Sequence, residues 1–126
     1  MFAHIDDPIS FLDGIKCLLS PVEGIFVFEV SYLKDVINNT YFDTIYHEHL
    51  DYHTLLPLKG LMDRSGFEVI EATCINTHGG SIRVYIKKDR KVKIEKSVNK
   101  MLKDEEDFGI KNFKTYKEFG EKVYKI

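Results

Sequence analysis

At 126 residues, with 44% apolar and 30% charged side chains, the chain has the size and composition of one ordinary globular domain, which excludes a disordered or fibrous polymer. Its longest apolar stretches, Ile15 to Leu19 and Gly24 to Val30, fall well short of the roughly 20 residues a membrane span needs, and residues 1–7 lack the basic and apolar regions of a secretory signal. No membrane partner is therefore expected, and the cytoplasm is the default location. The net charge of −2 hides an asymmetry, with nine acids against three bases in residues 1–60 and eight acids against 13 bases in residues 87–126. The basic tail interleaves its lysines with Glu95, Asp104, Glu105, Glu106, Asp107, Glu118 and Glu121 and has a single arginine, Arg90. That pattern reads as a solvated helical face and argues against nucleic acid. Cys17 and Cys74 lie far apart inside apolar stretches, so each reads as a small core residue and not as half of a disulfide or metal site.

In chain order, Asp7 and Pro8 supply a cap and first position for a helix whose apolar face is Phe11, Leu12, Ile15, Leu18 and Leu19, ending at Ser20-Pro21. Gly24 to Val30 is an almost continuous apolar run, the pattern of a strand buried on both faces of a parallel sheet. Residues 31–39 predict a short helix. Thr54 caps a second helix carrying Leu55, Leu58, Leu61 and Met62, with Pro57 in its first turn and Ser65-Gly66 as its stop. Residues 67–75 and 81–87 predict two strands joined through the tight turn His78-Gly79-Gly80. Beyond Lys88 the pattern turns helical. Ile94, Val98, Met101 and Leu102 share one face, and Phe113, Tyr116, Phe119 and Val123 form another after Gly109; these helices are expected to extend away from the sheet. Helix, buried strand, helix and hairpin in succession give the α/β class.

The segment from Tyr41 to His53 crowds three histidines, three acids and three tyrosines into one loop. If it is extended, His47 and His49 point to one side; if it is helical, Tyr46 and His49 share a face. An imidazole tuned by a neighbouring carboxylate can take a proton near neutral pH, which casts His49 as a general base and Glu48 as its tuner. A tyrosine hydroxyl, Tyr46 or Tyr41, can donate to a developing oxyanion. The same letters also admit a metal site built from His47, His49 and Glu48, as in a hydrolase or dioxygenase, although the His-Glu-x-x-His spacing is absent. A third reading is a binding module in which the histidines only hold loop backbone.

Four strings, Met1-Phe-Ala-His-Ile5, Glu29-Val30-Ser31-Tyr32, Phe42-Asp-Thr-Ile-Tyr-His-Glu-His49 and Thr77-His-Gly-Gly-Ser-Ile-Arg-Val84, occur in an order and spacing that resembles the S-adenosylmethionine-dependent deoxysugar C-methyltransferases. The resemblance implies a partial class I methyltransferase Rossmann-like sheet ending in an antiparallel hairpin and followed by a helical tail. Residues 1–88 would be the C-terminal half of the methyltransferase domain and residues 89–126 the helical entry into a truncated C-terminal domain. It further implies that His49 abstracts a proton beside a sugar ketone, that Glu48 and Tyr46 support it, and that His4 belongs to the same pocket. His78 and Arg83 are candidate contacts for a nucleotide-sugar substrate. The family's glycine-rich cofactor loop and its zinc-binding cysteines, which belong to an N-terminal module, have no counterpart in these 126 residues. The chain alone is accordingly expected to be inactive, and its open sheet edge is expected to favour self-association.

Overall fold

The computed structural model describes residues 6–40, 52–75, 80–88 and 91–126. The elements run α1 (Pro8–Leu18), β1 (Ile25–Ser31), α2 (Leu33–Asn39), α3 (Leu55–Arg64), β2 (Glu68–Ile75), β3 (Ser81–Lys87), α4 (Lys96–Phe108) and α5 (Phe113–Tyr124).

Local chemistry sets several of these boundaries. The Asp7 carboxylate accepts from the Ser10 amide at 3.1 Å and from its hydroxyl at 2.9 Å, and Pro8 occupies a first-turn position with no amide to satisfy. Those hydrogen bonds hold the Asp7 carboxyl below its ordinary pKa. At the far end of α3, the Phe67 amide donates to the Met62 carbonyl at 2.9 Å across Gly66, whose φ of +86° a residue with a side chain adopts only with strain.

The sheet has the order β1-β3-β2, with β3 antiparallel to both neighbours. The fold class and the hairpin are thus as the sequence predicts, but β1 pairs antiparallel with β3 and not in a parallel ladder, and it is not buried on both faces. Its burial alternates: Phe28 and Val30 face the core, whereas Ile25 and Val27 are 48% and 42% exposed. The physical reason is that the core residues of α1, α3 and α4 gather on the Phe28 and Val30 side. β1 pairs only with β3, from Ile25↔Lys87 to Ser31↔Ser81, and no described helix covers its second face.

One core lies on the other face. Leu12 of α1, Leu55, Leu58 and Met62 of α3, and Phe67 pack against Val69, Ala72, Ile82, Val84 and Ile86 of the sheet. Leu18, predicted to join this face of α1, is 84% exposed: Phe11, Leu12, Ile15 and Leu19 supply the side that packs on the core, and Leu18 lies off it. Cys17 and Cys74 are also exposed, which corrects their reading as core residues. Cys17 follows Lys16 on the outer side of α1, and Cys74 is near the end of the edge strand β2.

The main departure is α4. Expected to leave the sheet, it instead contributes Val98 (0% exposed) and Met101 (7%) to the core, with Ile94 and Leu102 packed beside them. Its amino end uses backbone that the edge strand leaves free. A bulge between Val69 and Glu71 turns out the Ile70 carbonyl, which accepts from the Glu95 amide at 2.8 Å, and the Ala72 amide donates to the Ser97 hydroxyl at 3.3 Å. Burying such groups without partners costs about 1–3 kcal/mol each, so the helix is specified by polar as well as apolar contact.

Candidate active site

Of the residues singled out by sequence, His4, Tyr41, Tyr46, His47, Glu48, His49 and His78 lie outside the described residues, and Arg83 lies within them. The Arg83 guanidinium donates from Nε at 2.8 Å and Nη2 at 2.6 Å to one oxygen of Glu29, its cross-strand partner on the open face of the sheet. Solvent screens an exposed pair of this kind, so it adds little to stability. Its two members engage each other, so a ligand contact by Arg83 would compete with Glu29.

The described residues do show how the chain on either side of these segments is arranged. The residues flanking segment 41–51 are Thr40 and Tyr52, and those flanking 76–79 are Ile75 and Gly80. At the carboxyl end of β1, the Leu33 amide donates to the His53 carbonyl at 2.9 Å and Tyr32 bridges His53 in parallel register. In the same place the Tyr32 amide donates to the Gly80 carbonyl at 3.3 Å, and Ser81 pairs with both Ser31 and Ile75. The end of β1, the chain entering α3 and the described ends of β2 and β3 therefore meet at one end of the sheet. In α/β proteins the carboxyl ends of strands are where ligands bind. Two backbone features mark this end: Thr40, the αL cap of α2 at φ +56°, and Gly80 at φ +107°, where a Cβ would collide with the Asp35 side chain. Desolvation raises the Asp35 carboxyl above its ordinary pKa, with Lys34 opposing the shift.

Sequence reasoning missed the most buried acid of this region. Glu105, read as part of a solvated face, is 1% exposed. Its Oε2 accepts from the Tyr32 hydroxyl at 2.7 Å and the Leu55 amide at 2.6 Å, and its Oε1 accepts from the Leu56 amide at 3.0 Å. It thus does what a helix N-cap does: Thr54, at the cap position of α3, makes no side-chain bond there. Burial, followed by the bond to Glu105, drives the Tyr32 hydroxyl far above its ordinary pKa, so it stays a neutral donor. A signal was present in the sequence. Val98, Met101 and Glu105 fall three and four residues apart, which puts an acid on the apolar stripe of its helix.

The described residues do not fit a methyl-donor cofactor. β1 passes into α2 through Tyr32 alone, with no glycine, and Gly80 belongs to an antiparallel hairpin where Asp35 fills the space above it. No strand, glycine-rich loop and helix in succession occurs among them. Among the described residues, no three His, Cys, Asp or Glu side chains come together as metal ligands, and no helix is long and apolar enough to cross a membrane. A groove of about 870 Å³ opens beside Leu56, Leu102, Glu106 and Phe113, at the α4–α5 corner. Glu105 lies on its wall beside Leu56.

Comparison with known proteins gives this arrangement a context. The family model for the C-methyltransferase C-terminal domain matches residues 76–126. The C-methyltransferase NovU of Streptomyces niveus is 38% identical over 122 residues, which cover 94% of this chain and 28% of that protein. The chain thus spans little more than a quarter of the length of the curated relative it matches. On the basis of that identity the chain belongs, as a segment, to the C-methyltransferase family.

Proposed function

We propose that this chain is part of an S-adenosylmethionine-dependent C-methyltransferase acting on a nucleotide-linked keto-deoxysugar, and that it supplies the proton-abstracting end of the site. The observation that supports this reading is the meeting of Tyr32, His53 and Gly80 at the carboxyl end of β1, since His53 follows the segment of Tyr46, Glu48 and His49 in sequence and Gly80 follows His78. In this reading His49 takes a proton from the carbon beside the sugar ketone, leaving an enolate. Glu48 orients the imidazole and stabilises its protonated form, and Tyr46 donates a hydrogen bond to the enolate oxygen. His4 serves the same pocket, and His78 and Arg83 contact the nucleotide-sugar. The cofactor is held by other parts of the longer protein. Residues 1–88 form the second half of a Rossmann-like domain and residues 89–126 the entry into the next, with α4 as the portion of that second unit built into the core of the first.

The test is His49→Ala in the full-length enzyme. A lost positioned base lowers kcat by about 10²–10⁴ with cofactor binding near normal. Unchanged turnover would remove His49 from the role, and stoichiometric metal by elemental analysis would favour the His47, Glu48 and His49 metal site instead. The exposed Ile25 and Val27 support a covering partner for the outer face of β1. In the full enzyme that cover is the rest of the sheet domain; in this chain by itself it is a second copy. Light scattering checks this, with a dimer expected and a monomer at all concentrations counting against it.

A further inference from the structure

After Tyr32 the chain leaves the sheet into α2, and it meets the sheet end again at His53, which bridges Tyr32. Both stems of that excursion are fixed by one carboxylate. Glu105 accepts from the Tyr32 hydroxyl on the outgoing stem and from the Leu55 and Leu56 amides just beyond the returning stem. The stems are joined directly by the Leu33 amide and the His53 carbonyl at 2.9 Å. The carboxylate is 1% exposed, and all three donors are neutral. Taking an acid out of water is costly, and a helix amino end plus a hydroxyl is a full set of compensating donors. Glu105 reaches this position because Val98 and Met101, on the same face of α4, are seated in the core. It lies in the stretch matched by the C-terminal domain model, 76–126, whereas Tyr32, Leu55 and Leu56 lie outside that stretch.

We propose that Glu105 is a positioning residue for the reaction: from the first helix of the C-terminal region it ties Tyr32, ahead of α2, to the first turn of α3, and so holds the described chain on either side of the segment that carries His49. The proposal rests on the function proposed above. Its reach is plain from the geometry, since releasing Glu105 frees the Tyr32 hydroxyl and leaves the first turn of α3 uncapped at once, without removing any apolar contact of α4.

Glu105→Gln tests it, because the amide keeps the size of the side chain but has one acceptor oxygen and presents an N–H to a donor. Hydrogen exchange of this chain is expected to speed up by about tenfold or more for amides in 33–40 and 53–58, with β2 and β3 unchanged. Tyr32→Phe, which removes a single donor and keeps the ring, is expected to loosen 33–40 more than Leu55 and Leu56. In the full-length enzyme Glu105→Gln is expected to lower kcat by about 10–100-fold while the KM for the methyl donor stays put, as a displaced reacting group does. Acceleration spread evenly through β2 and β3, unchanged exchange at the stems, or an unchanged kcat would each overturn the proposal. Full turnover by His49→Ala would overturn the positioning role as well, and the exchange pattern would then show separately whether the clamp exists.

Discussion

Helices α4 and α5 follow each other in the chain, and each gathers its apolar residues on one side, yet they end in different surroundings. α4 buries Val98, Met101 and Glu105, whereas no residue of α5 is buried and Phe113 is 79% exposed. The difference lies in what each helix meets. α4 finds an edge strand with free backbone groups, the bulge carbonyl of Ile70 and the amide of Ala72, and a helix, α3, whose first turn lacks a cap of its own. α5 touches α2 without burying a residue and is otherwise held at its own corner. There the Tyr116 hydroxyl donates to the Ile110 carbonyl at 2.6 Å and the Thr115 hydroxyl to the Gly109 carbonyl at 2.8 Å. An amphipathic pattern states that a helix has a face to bury, and the partner's unsatisfied groups decide whether it is buried.

The sharpest test of that contrast is a pair of truncations on the two helices, read by urea unfolding of this chain. Met101→Ala removes a core side chain, with an expected loss of about 2–5 kcal/mol. Phe113→Ser removes a larger but solvent-facing ring and is expected to change stability by about 0.5 kcal/mol or less. Equal losses at the two sites would mean that α5 is as firmly packed as α4, and the distinction would fall.

The same contrast explains how much of the molecule can be read from its sequence. The limits of α1, α3 and the hairpin follow from local chemistry at Asp7, Pro8, Gly66 and Gly80, and these were legible. The exposure of Leu18 and Cys17 was not, because α1 is apolar on more of its circumference than the sheet can cover. The docking of α4 and the burial of Glu105 depend on β2 and α3, residues 25 to 50 positions away in sequence, so no window along the tail contains the reason for them. Tyr46, Glu48 and His49 were legible as chemistry through their crowding and their resemblance to a family. The stems that aim their loop, Tyr32, His53 and Leu55, look ordinary in sequence because their role lies in backbone bonds and in one distant acid.

Gly109 is where the two helices part, and it offers a milder perturbation. Its φ is +90°, and its amide donates to the Glu105 and Glu106 carbonyls at 3.1 Å each, closing α4 in a left-handed cap. A side chain there incurs about 1–2 kcal/mol of backbone strain and places its Cβ 2.6 Å from the Thr115 hydroxyl that holds the corner. Gly109→Ala is therefore expected to release α5 while leaving α4 in the core. Exchange should quicken in residues 110–124 but not at Val98 or Met101, and the melting temperature should fall by less than in Met101→Ala. A loss as large as that of Met101→Ala would show strain passing through the cap into α4. Glu105, one turn before Gly109, would then be held in place partly by the corner, and the stems of the histidine-rich loop would depend on α5 as well as on α4.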